Sequence, residues 1–197
     1  MNNNECRASD LQLLGYTQKW LDYGVLTPER LRSDLERFRE PDGDESTEHY
    51  RFALFYEYLD SRERMSDAEI NHILELAMED PDGTMAHCAV MQLIQLDVLS
   101  DTQFHKLPSR PAFKHFDTSK TYTRHKLLRL IRREGPTEPV LSRCLAEGDG
   151  EVHRYLLDHC GLPEEFLEEL ADKGGNRKVR NLAWEKLGRG KRPRKKD

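Results

Sequence analysis

The sequence predicts an all-α fold made of stacked antiparallel helix pairs. Apolar residues recur at helical spacing along the whole chain, and no segment alternates apolar and polar residues as a half-buried strand would. Capping signals precede most of the apolar runs. The chain of 197 residues is also 34% charged, against an average near 25%. That excess suits a structure with much exposed helical surface.

The capping signals place the helices of the first half of the chain. A capping box at Ser9 predicts one helix that continues as far as Gly24. Thr27 caps a second helix, which has Pro28 at its first position. A strongly aromatic helix comes next, over about 48–61.

Further caps and breaks organise the middle of the chain. Ser66 opens a capped helix, and an acidic turn then leads to an apolar helix. Ser100 opens another helix, but Pro108 and Pro111 break the next stretch of chain into short pieces. A basic helix is predicted over about 119–134.

The clearest internal repeat lies near the end of the chain. Residues 136–161 and 162–187 each read as a helix pair. Leu145-Ala146 aligns with Leu170-Ala171, and the second copy has two extra loop residues. Residues 66–94 have the same order of capped helix, acidic Gly turn and apolar helix. Repeats of this length indicate helix pairs that bury their apolar faces only by stacking.

This pattern resembles the HEAT-like families, and the last two pairs look like the leucine-rich-repeat-variant type of helical repeat. The resemblance implies a short HEAT-like superhelical array of about five pairs. It implies no chemistry, because such arrays serve mainly as curved binding surfaces. Some members of the variant family bind an iron–sulfur cluster through clustered cysteines, and this sequence lacks that cluster.

Composition predicts one cytoplasmic domain over residues 1–188 and a disordered basic tail over 189–197. No apolar run is long enough for a membrane span, and the first residues do not read as a signal peptide. Four scattered cysteines predict reduced thiols. Residues 1–100 carry a net charge of −12 and residues 101–197 a net charge of +7. The tail alone supplies six positive charges.

No catalytic or cofactor motif is present, which predicts a non-enzymatic protein without cofactor or metal. Phosphate-binding glycine loops, HExxH and GxSxG are all absent. Asp80 to Thr84 imitates the start of a calcium loop, but Met85 and Met91 occupy positions that require Gly and Glu. We interpret this stretch as a capped turn. His153 and His159 are six residues apart on one helix and do not converge. We expect His159, near the apolar side of this helix, to be a core or half-buried histidine.

Two charged or aromatic regions are candidate protein-binding surfaces. One is an acidic loop. The alternative is that this loop is only a charged, flexible loop that keeps the chain soluble. The other is an aromatic helix whose second side either meets a partner or, as we favour, is sandwiched between layers. The candidate partner-binding residues are Asp42, Asp44, Glu45, Glu48, Tyr50, Leu54 and Tyr58.

The basic helix is a third candidate surface. A basic stripe with one aromatic side chain suits phosphate contacts, and the HEAT-like DNA glycosylases use a basic concave face. The alternative is a solvated face balanced by acids, which we favour. The candidate nucleic-acid-binding residues are Tyr122, Lys126, Arg129 and Arg133.

The function predicted from these features is non-catalytic binding of a macromolecule, most simply a protein that is itself basic. One form would be an inhibitory, immunity-type protein that neutralises a toxin, since such a protein is small, acidic and lacks an active site. One alternative is a nucleic-acid-binding HEAT-like repeat protein, related to the DNA glycosylases, that uses the basic helix over 120–133. A third class is an enzyme whose site no motif reveals.

Overall fold

The computed structural model describes residues 8–40 and 46–189. Within these ranges it is all-α, with thirteen α-helices, one 3-10 turn and no strand, which confirms the predicted fold class. Packing groups the chain into two compact units, one ending at Thr118 and the other beginning at Ser119. No helix in the described ranges is long and apolar enough to cross a membrane.

The first unit contains eight of these helices, and the predicted caps begin several of them. Thr27 Oγ1 accepts a hydrogen bond from the Arg30 N–H, and capping boxes form at Ser66 and Ser100. The helices are α1 (Ala8–Leu13), α2 (Gln18–Asp22), α3 (Pro28–Phe38), α4 (Thr47–Asp60), α5 (Asp67–Glu79), α6 (Gly83–Gln95), α7 (Asp101–Lys106) and α8 (Pro111–His115), with the 3-10 turn at Leu107–Ser109.

The prediction of one continuous helix from Ser9 to Gly24 is wrong. The chain breaks between α1 and α2, where Gly15 adopts a φ of +74°. This left-handed conformation is accessible to glycine without a steric penalty. The Arg51 side chain also lies against Gly15, so a larger residue there would collide with it. The break is local: the Gly15 and Tyr16 N–H groups donate to the Gln12 and Leu11 carbonyls, which is the Schellman arrangement that ends a helix at a left-handed glycine.

A buried ion pair connects three segments of the first unit. Arg51 on α4 and Asp80 after α5 are both almost fully buried, and Arg51 Nε donates to Asp80 Oδ2 at 2.8 Å. Arg51 Nη1 donates to the Leu14 carbonyl at 2.8 Å and to Thr47 Oγ1 at 3.3 Å. Asp80 Oδ1 also accepts the Asp82 N–H at 2.8 Å. The pair thus fixes the end of α1 and the α5–α6 turn against α4.

A second buried carboxylate lies on α3. Asp34 accepts a hydrogen bond from the Tyr16 hydroxyl at 3.1 Å and from Arg30 Nε at 2.8 Å. Burial and the Asp34 charge raise the pKa of Tyr16 above its usual range. Arg30 also reaches Glu57 on α4 at 2.5 Å. These bonds attach α3 to the chain around Tyr16 and to α4.

We expect the Arg51–Asp80 pair to be strongly coupled. Asp80→Asn should lower the free energy of unfolding by about 3 kcal/mol, because it leaves the Arg51 charge buried without a counter-ion. Arg51→Met combined with Asp80→Asn should cost clearly less than the two single changes added together. Chemical denaturation measures all four proteins.

An exposed ion pair provides the control for this comparison of single and double variants. Arg39 and Asp10 are 3.5 Å apart at the surface of the same unit. Arg39→Met and Asp10→Asn should each change stability by no more than about 0.5 kcal/mol. Additive costs at Arg51 and Asp80 would contradict the proposed coupling.

The second unit consists of one long helix and then two pairs of equal helices. Its core is apolar and includes the buried side chains Leu127, Leu141, Leu156 and Leu170. The helices are α9 (Ser119–Glu134), α10 (Glu138–Glu147), α11 (Gly150–His159), α12 (Glu164–Lys173) and α13 (Arg177–Lys186).

The predicted repeat is present, but its register needs a correction of one residue. In each pair a glycine N–H closes the first helix, Gly148 onto the Cys144 carbonyl and Gly174 onto the Leu170 carbonyl. Cys144 therefore corresponds to Leu170, and both are fully buried, whereas Leu145 is only half-buried. Our alignment of Leu145 with Leu170 is wrong because it matched residue types rather than distance from the turn.

His153 joins the turns of the two pairs. Its side chain is buried, and Nδ1 accepts the Gly175 N–H at 3.0 Å. The neutral ring then carries its proton on Nε2, which donates to the Cys144 carbonyl at 2.9 Å. The turns approach so closely that a Cβ on Gly175 would collide with the backbone of Gly150. The prediction that His159 is a core or half-buried histidine is wrong, because His159 is exposed and the buried histidine of this helix is His153.

Stability should fall when His153 takes up a proton. Burial lowers the pKa of His153 in the folded protein below its ordinary value of 6.5. At a pH between the folded-state pKa and 6.5, the unfolded chain therefore binds more protons than the folded one. The stability that neutral His153 contributes is fully present above pH 6.5 and is lost as the pH falls toward the folded-state pKa. Denaturant titrations at pH 7.5 and 5.5 should reveal this loss.

The same titrations on His153→Gln isolate the effect. This variant should be less stable at pH 7.5 and should show a weaker loss on acidification, because its side chain binds no proton. An unchanged pH dependence in His153→Gln would assign the loss to other groups.

Candidate functional site

An open apolar groove lies on the surface of the first unit and encloses about 560 Å³. One wall is α5, whose lining residues recur at helical spacing. The other wall is formed by the end of α7, the 3-10 turn and the start of α8. The lining residues are Asn71, Leu74, Glu75, Met78, Lys106, Ser109, Arg110, Pro111 and Ala112. We call this site the α5–α8 groove.

Two prolines create the groove. Pro108 lies in the 3-10 turn, and Pro111 begins α8, which is only five residues long. Proline in a helix interior removes a backbone donor and breaks the helix. The resulting short pieces cover α5 incompletely. Met78 consequently keeps 39% of its surface exposed, whereas Leu74 and Ala112 are buried at the base of the groove.

Glu75 on the α5 wall is linked through Lys19 to Glu79, which lies just beyond the groove lining on the same helix. Lys19 Nζ lies 2.5 Å from both Glu75 Oε1 and Glu79 Oε1. The Tyr23 hydroxyl donates to Glu75 Oε2 at 2.8 Å, and the Tyr23 ring stacks on His72 with centroids 3.8 Å apart. Hydrogen bonds from Lys19 and Tyr23 lower the pKa of Glu75. The cluster of Lys19, Glu75 and Glu79 keeps a net charge of −1.

The opposite wall is basic. Arg110 donates to Asn71 on α5, and its Nη2 lies 3.7 Å from Asp67, so its charge is already paired. Lys106 is exposed, and within the described ranges it forms no ion pair. The groove therefore has an apolar base between an acidic wall and a basic wall.

This arrangement suits the binding of apolar groups. The lining contains one carboxylate and neither histidine nor cysteine. In the described part of the chain, no cluster of three His, Cys, Asp or Glu residues could hold a metal ion. A groove of this size and composition can hold apolar side chains and orient them with a few charges.

The structure does not expose the predicted aromatic stripe. Tyr50, Leu54 and Tyr58 are buried, so the sandwiched alternative describes α4, and a partner-facing role for these three side chains is wrong. Arg62 covers the Tyr58 ring at 4.4 Å. The exposed aromatic of this helix is Tyr56.

The acidic residues of the same prediction are only partly described. Asp42, Asp44 and Glu45 lie outside the described residues. Glu48 is half-buried in the first turn of α4. The predicted tail also lies outside them from residue 190 onward. Arg189, by contrast, contacts Glu168 and lies 5.5 Å from the centroid of the Trp184 ring.

The basic helix exists as predicted, but its stripe is not fully exposed. Tyr122, Lys126 and Arg129 are half-buried, and Arg133 is exposed. Burial raises the pKa of Tyr122. Arg124 on the same helix donates through Nε and Nη2 to Asp149 at 2.8 and 2.6 Å. One of the arginines of α9 is thus paired with a carboxylate of the same unit.

The α5–α8 groove is not among the surfaces predicted from the sequence. Pro108 and Pro111 predict helix breaks. How much of α5, thirty residues earlier, these breaks leave uncovered depends on packing. The sequence signal for the groove is the stripe at positions 71, 74, 75 and 78 of α5, which mixes Leu and Met with polar residues. Such a mixed stripe fits a partly covered face.

Comparisons with protein-family models, curated proteins and solved structures found no match. The resemblance to HEAT-like and leucine-rich-repeat-variant proteins therefore stays a prediction.

Tyr58→Ala should destabilise the protein because it empties a buried site. We expect a loss of about 3 kcal/mol, as for other buried aromatic truncations. Tyr56→Ala, on the same helix but with 46% of its surface exposed, should change stability by no more than about 0.5 kcal/mol. Thermal and denaturant unfolding distinguish the two. A Tyr58→Ala protein as stable as the Tyr56→Ala protein would contradict burial of this stripe.

Proposed function

We propose that this protein is a non-catalytic helical-repeat protein that binds another protein through the α5–α8 groove. The observation that carries the proposal is the exposed Met78 above the buried Leu74 and Ala112, in a groove that charged residues also line. An apolar cleft rimmed by charge is the usual form of a binding site for protein side chains. Met is also the side chain that adapts best to partners of different shape.

Charge supports a basic partner. The sequence through Thr118 contains 12 Lys/Arg and 23 Asp/Glu, a net charge of −11. A surface of this sign accelerates encounter with positively charged proteins and repels acidic ones, nucleic acids included. The negative charge therefore favours a protein over a nucleic acid as the occupant of the groove.

The narrower form of the proposal is inhibition. A binding protein without an active site acts by occupying a surface of its partner, and an acidic inhibitor of a basic enzyme or toxin is one such case. We place this activity in the cytoplasm, because the described cysteines Cys88, Cys144 and Cys160 are free thiols.

Site-specific photo-crosslinking tests the proposal. A benzophenone side chain at position 78 should capture a protein from a lysate of the source organism, whereas the same group at Leu13 should not. Leu13 is a matched control because it is an apolar side chain of the same unit, 43% exposed and outside the groove. The captured protein, once purified, should bind wild type, and Met78→Gln should weaken that binding about tenfold.

Two results would count against the proposal. Equal capture at positions 78 and 13 would mean that the groove has no special role. A product that nuclease removes would favour the nucleic-acid alternative. Met78→Leu should bind like wild type, since it keeps the volume and apolar character of the side chain.

A further inference from the structure

The two walls of the α5–α8 groove differ in charge, and this difference constrains what lies between them. On the α5 wall, Lys19 neutralises only one of the two carboxylates of Glu75 and Glu79. On the opposite wall, Arg110 is paired with Asp67, which leaves Lys106 as the exposed cation. An occupant gains most when it presents a cation to α5 and an anion to Lys106.

The backbone of the first unit constrains the conformation of the occupant. Its described elements are all helical, so their backbone donors and acceptors are largely used within the helices. An extended peptide would find no sheet edge with which to pair, and its own backbone groups would lie unpaired against apolar side chains. A helix satisfies its backbone internally and needs only side-chain contacts.

The length of the groove sets the size of the recognised motif. Asn71 and Met78 are seven residues apart on α5, which corresponds to about 10 Å along the helix axis, or two turns. A bound helix would therefore place apolar residues at positions i, i+3 or i+4, and i+7 over the base of the groove.

We propose that the α5–α8 groove accepts an amphipathic α-helix of the partner protein, with its apolar stripe bordered by basic residues on one edge and acidic residues on the other. The basic edge faces Glu75, which belongs with Lys19 and Glu79 to a cluster of net charge −1, and the acidic edge faces Lys106. This inference rests on the proposed function, because it specifies the occupant of the same groove.

Three synthetic helical peptides provide the probe. Each has fourteen residues and the same leucine stripe, and they differ only at the edges: Lys on one and Glu on the other, Lys on both, or Glu on both. Fluorescence anisotropy gives the Kd for wild type and for Met78→Gln. The ratio of these two Kd values isolates groove binding from general attraction to the acidic unit. The mixed peptide should show the largest ratio, about fivefold above the others, as expected for a surface ion pair near the upper end of its range.

Reversing one wall should change the preference. Lys106→Glu makes both walls acidic and should shift the preference to the all-Lys peptide. Glu79→Lys makes the α5 wall basic and should shift it to the all-Glu peptide. Lys114→Glu and Glu63→Lys are matched controls at exposed positions outside the groove, and they should keep the wild-type order.

The outcomes separate this inference from the function on which it rests. If all three peptides bind equally and depend on Met78, the groove binds helices and the charge inference is overturned. If no peptide depends on Met78, a helical occupant is overturned. In that case, photo-crosslinking at position 78 still decides whether the groove binds a protein.

Discussion

The buried ion pair between Arg51 and Asp80 is the constraint on which the first unit depends. A charge in the interior is tolerated only when it is paired and its remaining donors are satisfied. Arg51 meets this requirement by bonding to Asp80, to the Leu14 carbonyl and to Thr47. These partners come from the end of α1, the turn after α5 and α4 itself. Satisfying one side chain therefore fixes the relative positions of three segments.

This arrangement has consequences for the groove. Asp80 comes directly after α5, so the position of α5 is tied to α4 at the end that carries Met78 and Glu79. Lys19 on α2 then bridges Glu75 and Glu79 from a neighbouring segment. The acidic wall is thus held by bonds to two other helices. A wall fixed in this way loses less conformational entropy on binding than a free helix would.

In the second unit, a buried histidine rather than an ion pair fixes segments of the chain against one another. Gly150 and Gly175 let two turns approach, and His153 bonds to the carbonyl before one turn and to the N–H within the other. Arg124 attaches α9 to the first of these turns through Asp149. Backbone groups at helix ends need partners, and here side chains from adjacent helices supply them.

Local chemistry explains which parts of the fold the sequence predicts. The caps at Thr27, Ser66 and Ser100 and the prolines act within one helical turn, so the helices they begin or end are predictable. The break at Gly15 is also local, because the Gly15 and Tyr16 N–H groups bond back to the Gln12 and Leu11 carbonyls. Our prediction missed it because apolar residues recur on both sides of Gly15. The predicted repeat register is one residue off because Leu145 and Leu170 match in type but not in distance from the turn.

The candidate site is less predictable than the fold, and for a related reason. Aromatic residues on both sides of α4 fit either a sandwiched helix or an exposed stripe, and periodicity alone does not distinguish these cases. Burial of Tyr50 and Tyr58 decides it. The α5–α8 groove is formed by residues from separate elements, and these residues form no continuous sequence motif. Its position depends on how the end of α7, the 3-10 turn and the start of α8 lie against α5.

The charge of the first unit and the groove would contribute to binding in different ways. A net charge of −11 acts over the Debye length, about 8 Å at physiological salt, and therefore affects the rate of encounter. Met78 and the apolar base act only on contact and affect the rate of dissociation. Salt should reduce the first contribution and leave the second largely intact. Under the proposed function, the acidic surface would attract many basic proteins, and the α5–α8 groove would retain those that present a matching helix.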